Sequence, residues 1–196
     1  IVKLVDLIHM HERQVQITWR SSDFNQVKIS VVATLHETTT ADRIYAKLPF
    51  VTSCQSWGNC FCFDTGTQIA PTEDPVLIEG NVMKQTVVPG ELAYWCERNM
   101  ICMGFGKTET SQNEEPSLPA QCNIWATVTS HTSDQLVELL SNVTLEDTDV
   151  VTLEKYFSVS EAQLDFMQRH GTQLNDMIAQ QQKQLALLQQ QQQVPQ

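Results

Sequence analysis

Alternating apolar and polar residues dominate the N-terminal two thirds of the chain. Val15, Ile17 and Trp19 alternate with polar neighbours, and after a Ser-Ser-Asp turn signal the residues 27–31 alternate in the same way. A period of two is typical of strands that bury one face. This part of the sequence therefore predicts two β-strands.

Further short apolar runs follow, and turn signals separate them. Residues 50–64 predict two strands around a Trp57-Gly58-Asn59 turn, 69–81 a proline-bounded loop, 84–104 strands around a Pro89-Gly90 turn, and 119–130 a last strand. Seven or eight short strands with few helical signals predict a mainly β fold, a closed or nearly closed β-barrel. Closure would also remove exposed sheet edges.

One short helix interrupts the predicted strands. Thr40 can cap it, Ile44 and Leu48 lie four residues apart on one face, and Pro49 stops it. Residues 1–10 fit either a helix or a buried strand, so their structure stays open.

The length bounds the organisation of the chain. A chain of 196 residues with 41% hydrophobic content can bury one sizeable core and carry an appendage. We predict an N-terminal arm (1–13), a β-barrel (14–131) and a helical, Gln-rich C-terminal extension (132–196).

The C-terminal extension carries a heptad-like stripe. A Ser at 158 or 160 can cap a helix there, Pro195 ends it, and two positions of the stripe, Gly171 and Gln181, are weak. Such a helix could fold back onto its own barrel, dock on another protein, or be a disordered Gln-rich tail. We expect docking on a partner subunit, because the stripe is long and narrow. Its partner-binding residues would be Leu164, Met167, Leu174, Ile178, Leu185 and Leu188.

Charge and hydropathy exclude two classes of partner. The formal net charge is −11 and the basic residues are scattered singly, so a nucleic-acid partner is not expected. No apolar run approaches the length of a membrane-spanning helix.

The first residue is Ile1, which fits a chain processed after organelle import, for example mitochondrial, but also secretion or an incomplete sequence.

The six cysteines indicate an intracellular protein. Most lie inside apolar runs, and Cys60 and Cys62 share one face of a predicted strand. Buried free thiols are the interpretation we prefer, while disulfides and a metal site remain alternatives. No C-x-x-C spacing typical of zinc sites is present, and no metal or cofactor is predicted.

No familiar catalytic motif is present. The sequence lacks G-x-S-x-G, H-E-x-x-H, P-loop and G-x-G-x-x-G patterns. Arg98 follows Tyr94 and Trp95, and an arginine beside aromatic rings at a barrel mouth can bind a carboxylate. We therefore take Trp57, Tyr94, Trp95 and Arg98 as candidate ligand-binding residues, although a surface arginine without a ligand is the simpler interpretation.

Ordered short blocks along residues 14–130 resemble the cyclophilin-like domain family. The blocks are "TADRIYAKLP" (40–49), Trp57-Gly58, "VPGELAYW" (88–95), Asn99, "FGKT" (105–108), Ser111, Glu115-Pro116, Pro119-Ala120 and Asn123-Ile124. The chain departs from the family pattern at Cys96-Glu97-Arg98, where P-P-G is expected, and at Lys107, where proline is expected. These departures change the loop beside the barrel mouth.

The resemblance implies a cyclophilin-type β-barrel in a family whose members mostly lack an established function. We expect a non-catalytic structural or binding subunit that docks through its C-terminal helix. The alternative is a small-ligand-binding or enzymatic barrel that uses its mouth.

We predict no peptidyl-prolyl isomerase activity. The F-H-R strand and the F-M-x-Q-G-G-D stretch that true cyclophilins carry are both missing. In a proline-isomerisation assay, the time constant should stay at the uncatalysed value of about tens to hundreds of seconds at 25 °C. Acceleration comparable to that of an ordinary cyclophilin would contradict this prediction.

Overall fold

The structure, a computed structural model, describes residues 12–22, 26–146 and 149–157. The described elements are mainly β: β1 (Gln14–Arg20), β2 (Val27–Leu35), α1 (Thr39–Lys47), β3 (Phe50–Ser56), β4 (Cys60–Asp64), β5 (Met83–Thr86), β6 (Glu91–Trp95), β7 (Met100–Gly104), β8 (Ser117–Val128), α2 (Ser133–Ser141) and β9 (Val150–Tyr156).

The nine strands in the described part of the chain form one antiparallel sheet that closes on itself. The order is β2-β1-β9-β3-β4-β7-β6-β8-β5, and an additional pairing joins β8 back to β2. One edge of β8 pairs with β6, while its other edge pairs with β5 and then with β2. Eight strands therefore make a hydrogen-bonded ring, and β5 is attached outside it.

The predicted hairpin of β1 and β2 is confirmed. Ile17 faces Val31 across the pair, and Val15, Ile17 and Trp19 are fully buried on one face. The opposite face is held by side-chain hydrogen bonds: Ser30 Oγ accepts from Gln16 Nε2 at 2.8 Å and bonds Thr18 Oγ1 at 3.1 Å. Period-two patterning thus sets which face of the hairpin enters the core.

The strands β4, β6, β7 and β8 bury both faces. Successive residues of β4 show this, since Phe61 and Phe63 enter the main core while Cys60 and Cys62 enter a second apolar cluster on the other face. We call that group the outer cluster; it consists of Cys60, Cys62, Val87, Ala93, Cys102, Leu118, Cys122 and Ile124. A β-bulge between Leu92 and Ala93 shifts the pairing with β8.

The structure corrects one predicted boundary and the predicted number of helices. The barrel was expected to end at residue 131, yet β9 lies inside the ring between β1 and β3, and the compact unit extends to Tyr156. Two helices are described rather than one. The strand β9, whose alternating residues Val151 and Leu153 are buried, pairs with the edges of β1 and β3. Without it these two edges would remain unpaired.

Both helices start at threonine caps. Thr38, rather than the expected Thr40, caps α1 and accepts from the Ala41 N–H at 3.1 Å. Thr132 caps α2 in a capping box with Gln135. Leu136 and Leu140 then lie one turn apart and pack into the main core. Neither described helix has the length and apolar run that a membrane span requires.

A buried ion pair anchors the turn before β9. Lys28 Nζ on β2 lies 2.6 Å from Asp149 Oδ2, and the same oxygen accepts from the Glu146 N–H at 2.9 Å. Asp149 is only 1% exposed. Burial works to raise the pKa of its carboxyl, but the hydrogen bonds from Lys28 and Glu146 outweigh it and the pKa is lowered.

Replacing Asp149 should destabilise the protein near neutral pH. Asp149→Asn removes the charge that Lys28 needs, and we expect a loss of about 1–3 kcal/mol in the free energy of unfolding. Because the folded-state pKa is lowered, the wild-type advantage is complete above the ordinary value of 3.8 and declines as pH falls through the lower folded-state pKa. Denaturant unfolding of both proteins from pH 7 to pH 2.5 measures this difference.

The matched control is Asp74→Asn, which breaks the exposed ion pair between Arg43 and Asp74. That change should cost less than about 1 kcal/mol, because surface pairs contribute little. Equal losses in the two variants would show that the Lys28–Asp149 pair does not anchor β9.

Candidate functional site

Three of the four candidate ligand-binding residues, Trp57, Trp95 and Arg98, lie on the outside of the ring. Trp57 and Trp95 are partly buried and pack against the outer cluster. The Arg98 guanidinium carbon lies 5.9 Å from the centroid of the Trp95 ring, in cation–π contact. Trp57 Nε1 donates to Glu109 Oε2 at 3.1 Å.

The Tyr94 side chain points into the ring, so the prediction that Tyr94 belongs to the ligand-binding residues is wrong. It neighbours Trp95 on β6, so the two side chains lie on opposite faces of the strand. Tyr94 is fully buried in the main core, where its hydroxyl donates to Asn99 Oδ1 at 3.2 Å. Burial raises the pKa of this phenol. Tyr94 therefore cannot share a surface site with Trp95 and Arg98.

Large side chains fill the interior of the ring. Aromatic residues contact one another there: Trp19 lies 5.4 Å from Phe63 and 5.9 Å from Phe61, and Phe61 lies 4.8 Å from Phe105, all between ring centroids. Trp125 and Tyr94 are also fully buried in this core. The described interior of the ring is thus packed with large side chains.

Two cavities border the main core in the described part of the chain. One of about 200 Å³ lies between the β3–β4 turn and the end of α2, lined by Phe61, Phe105, Leu140 and neighbours. The other, about 330 Å³, lies beside α1 and is lined by Thr39, Arg43, Asp74, Pro75, Val76, Leu77 and Glu79. Neither cavity is lined by Trp57, Tyr94, Trp95 or Arg98.

A polar network positions the start of α1 beside the larger cavity. Both carboxylate oxygens of Glu79 accept from the helix, one from the Thr39 N–H at 3.1 Å and the other from the Thr40 N–H at 2.8 Å. Buried Asn123 accepts from the Glu79 N–H and donates to Thr40 Oγ1 and to the carbonyl of Leu77. Glu79 thus neutralises the positive end of the helix with a group from the chain itself.

Three thiols meet within the outer cluster. The Sγ atom of Cys62 lies 3.9 Å from that of Cys60 on the same strand and 3.7 Å from that of Cys102, its cross-strand partner on β7. All six cysteines are free thiols in the structure, as the sequence predicted. The contact between these three was not expected, because it depends on the register of two strands far apart in sequence.

The pKa values of the cysteine thiols differ because their environments differ. Burial raises the pKa of Cys54 and Cys122 to about 12, and that of Cys96 to about 11. Side-chain interactions with the Cys102 and Cys60 thiols lower the pKa of Cys62, against the effect of burial. Within the three-thiol group, the proton is therefore lost first from Cys62.

The described histidines are dispersed. His36 Nε2 bonds Thr127 Oγ1 and His131 Nδ1 bonds Ser130 Oγ, each at 2.8 Å. His9, His11 and His170 lie outside the described residues. In the ranges that the structure describes, no group of three or more His, Cys, Asp and Glu side chains is arranged to hold a metal ion. The six predicted partner-binding residues, from Leu164 to Leu188, also lie outside those ranges.

Comparisons with known proteins give a family. A family model described as Cyclophilin-like matches residues 21–141. Among solved structures, the hypothetical protein AF2241 from Archaeoglobus fulgidus is similar, with 22% identity, a TM-score of 0.49, and coverage of 75% of this chain and 98% of that chain. McbB, solved in complex with tryptophan, is 12% identical with a TM-score of 0.48, and the match covers 75% of this chain and 46% of that chain.

Neither structure is similar enough to indicate what this chain binds or does. No curated protein matches the sequence.

Removing the Glu79 carboxylate should loosen α1. Glu79→Ala leaves the Thr39 and Thr40 N–H groups without their acceptor, and hydrogen bonds to charged groups contribute about 1.5–3 kcal/mol each. Since water can reach the partly exposed helix end, we expect a total loss of about 2 kcal/mol in the free energy of unfolding. Urea denaturation measures it.

Glu79→Gln should lose less, because its amide oxygen can still accept one of the two hydrogen bonds. Glu73→Ala changes an exposed carboxylate of the same loop and serves as the control. If Glu79→Ala is as stable as Glu73→Ala, the carboxylate does not cap the helix.

Proposed function

We propose a protein-binding role for this chain, which belongs to the cyclophilin-like family. In this proposal the ring of strands is a closed β-barrel without a catalytic function. It serves as a rigid subunit of a larger protein assembly, and the C-terminal segment attaches it there.

The packing of the ring interior is the observation that carries the proposal. A barrel that binds a small molecule keeps a concave, largely preformed pocket of about 300–1,000 Å³. Here Trp19, Trp125 and Phe63 are fully buried within the ring. A filled barrel can present its outer surface to a partner, but it offers no enclosed site for chemistry.

A second line of support is that the sheet is complete before the apolar stripe begins. The ring is complete at β9, and the compact unit that contains it ends at Tyr156. The heptad-like stripe begins only at Leu164, so its apolar positions are not needed to complete the sheet. An apolar stripe that its own domain does not require is free to bind another protein.

Exposed apolar side chains provide a further contact surface. Leu77 is 74% exposed and Val88 57%, and Ile78 and Met83 are exposed in the same stretch of chain. All four residues of β5 are exposed, and the strand lies at the end of the sheet order. Apolar surface of this kind is common where a protein contacts a partner.

The alternative function, binding of a small ligand, has one observation in its favour. The cavity of about 330 Å³ beside α1 is at the lower end of the size range of ligand pockets. Its arginine, Arg43, already donates to the carboxylate and the carbonyl oxygen of Asp74. A carboxylate ligand would have to displace that pair, which makes this the second choice.

Acidic substitutions in the stripe test the assembly proposal. Changing Leu174, Ile178 and Leu185 together to Asp places charges where the predicted helix buries apolar side chains. Burial of one such side chain contributes about 1.5–3 kcal/mol, so the triple variant should leave its assembly. The thermal transition of the barrel should change little. Native mass spectrometry of the protein isolated from its source measures assembly, and calorimetry measures the transition.

The control variant changes Gln173, Gln180 and Gln190 to Asp, which adds the same charge at positions that do not belong to the stripe. It should remain assembled. Release of both variants would indicate a general charge effect, and unfolding of the barrel by the first variant would show that the segment packs on its own domain. Either result contradicts the proposal.

A further inference from the structure

The three-thiol group of Cys60, Cys62 and Cys102 has no role in the proposed function. Its sulfurs are in contact, with Sγ separations of 3.9 and 3.7 Å from Cys62 to the other two. Cys60 and Cys102 are fully buried and Cys62 is 7% exposed. Cys62 is thus the most exposed of the three residues, although all three are buried.

We propose that Cys62 and Cys102 are an oxidation site, where a peroxide converts the two thiols into a disulfide across β4 and β7. The two residues are direct partners in the antiparallel register. Such partners have Cα separations of about 4.5–5.5 Å, and disulfides accept about 4.4–6.8 Å. The backbone is therefore already in place, and side-chain rotation can bring the sulfurs to bonding distance.

Cys60 is a poorer partner for Cys62. Residues two apart on a strand have Cα atoms about 6.6 Å apart, near the upper limit for a disulfide, and their side chains project in parallel. Cys60 instead lies where it can donate an S–H to Cys62. This contact helps to stabilise a thiolate at Cys62, the form that reacts with peroxide.

The reaction balances with hydrogen peroxide as the oxidant. The Cys62 thiolate attacks one peroxide oxygen, the O–O bond breaks, and the leaving hydroxide takes a proton to become water. The sulfur of Cys102 then attacks the sulfenic sulfur of Cys62, and the sulfenic oxygen leaves as a second water with the Cys102 proton. Two thiols lose two electrons in all, and the peroxide accepts both.

Proteolysis of the protein can identify the bond. Trypsin places Cys54, Cys60 and Cys62 in the peptide 48–84, Cys96 in 85–98, Cys102 alone in 99–107, and Cys122 in 108–155. The full chain is treated with hydrogen peroxide in the presence of a chelator, and free thiols are then alkylated. We expect a mass loss of about 2 Da and a linked pair of the peptides 48–84 and 99–107.

Chymotrypsin assigns the partner within the longer peptide, because Phe61 separates Cys60 from Cys62. The linked fragment should contain Cys62. The Cys62→Ala variant should form no link to 99–107, whereas Cys54→Ala, a control at another buried cysteine, should behave like the wild type. Circular dichroism establishes that each variant is folded. The disulfide assignment in the wild-type chain does not depend on the variants.

Three results would overturn the proposal. The first is a native chain that keeps six free thiols under conditions that oxidise the urea-unfolded chain. The second is a link from Cys102 to Cys54 or Cys60. The third is oxidation that yields only disulfides between two molecules.

Discussion

The position of β9 is the constraint on which the rest of the structure depends. This strand is the last element of the compact unit, and it pairs with β1 on one side and β3 on the other. Without it, both neighbours would have an open edge and the ring could not close. Closure in turn buries the aromatic interior that contains Trp19, Phe61 and Phe63. The Lys28–Asp149 pair holds the turn from which β9 starts.

One half of the ring is buried on both faces. Strands β4, β6, β7 and β8 present one face to the main core and the other to the outer cluster. Trp57 and Trp95 cover that cluster only partly, so a chemically distinctive group of thiols lies beneath partly exposed aromatic rings. Local opening here would expose thiols together with aliphatic side chains. The outer cluster is therefore a buried region in which four of the six cysteines lie.

Polar groups inside the fold are tied to closure as well. Asn123, fully buried on β8, holds Glu79 and Thr40 in one network, and Glu79 caps α1. The helix is thereby joined to the sheet through hydrogen bonds that a loop alone would not supply. Such a network is strong when every group is satisfied, which fits its position at a helix end that would otherwise lack acceptors.

The sequence by itself determined the local elements and the family. Period-two patterns placed β1 and β2 correctly, the Pro89-Gly90 turn before β6 is present with Gly90 at φ 101°, and the two faces of β4 are as predicted. Alternation at Val151 and Leu153, and the Thr132 capping box, were signals for β9 and α2 in the sequence. The prediction of a helical extension from residue 132 missed both elements, because the Gln-rich composition farther along is typical of a helix.

Only the tertiary structure decided which residues meet. Alternation shows that neighbours such as Tyr94 and Trp95 point to opposite faces, but it does not show which face is the filled interior of a ring. The approach of Cys102 to Cys62, and of Glu79 to Thr40, joins residues 40 and 39 positions apart, respectively. Such pairs depend on strand register and on ring closure, which are set by the summed burial of the whole sheet and not by any local pattern.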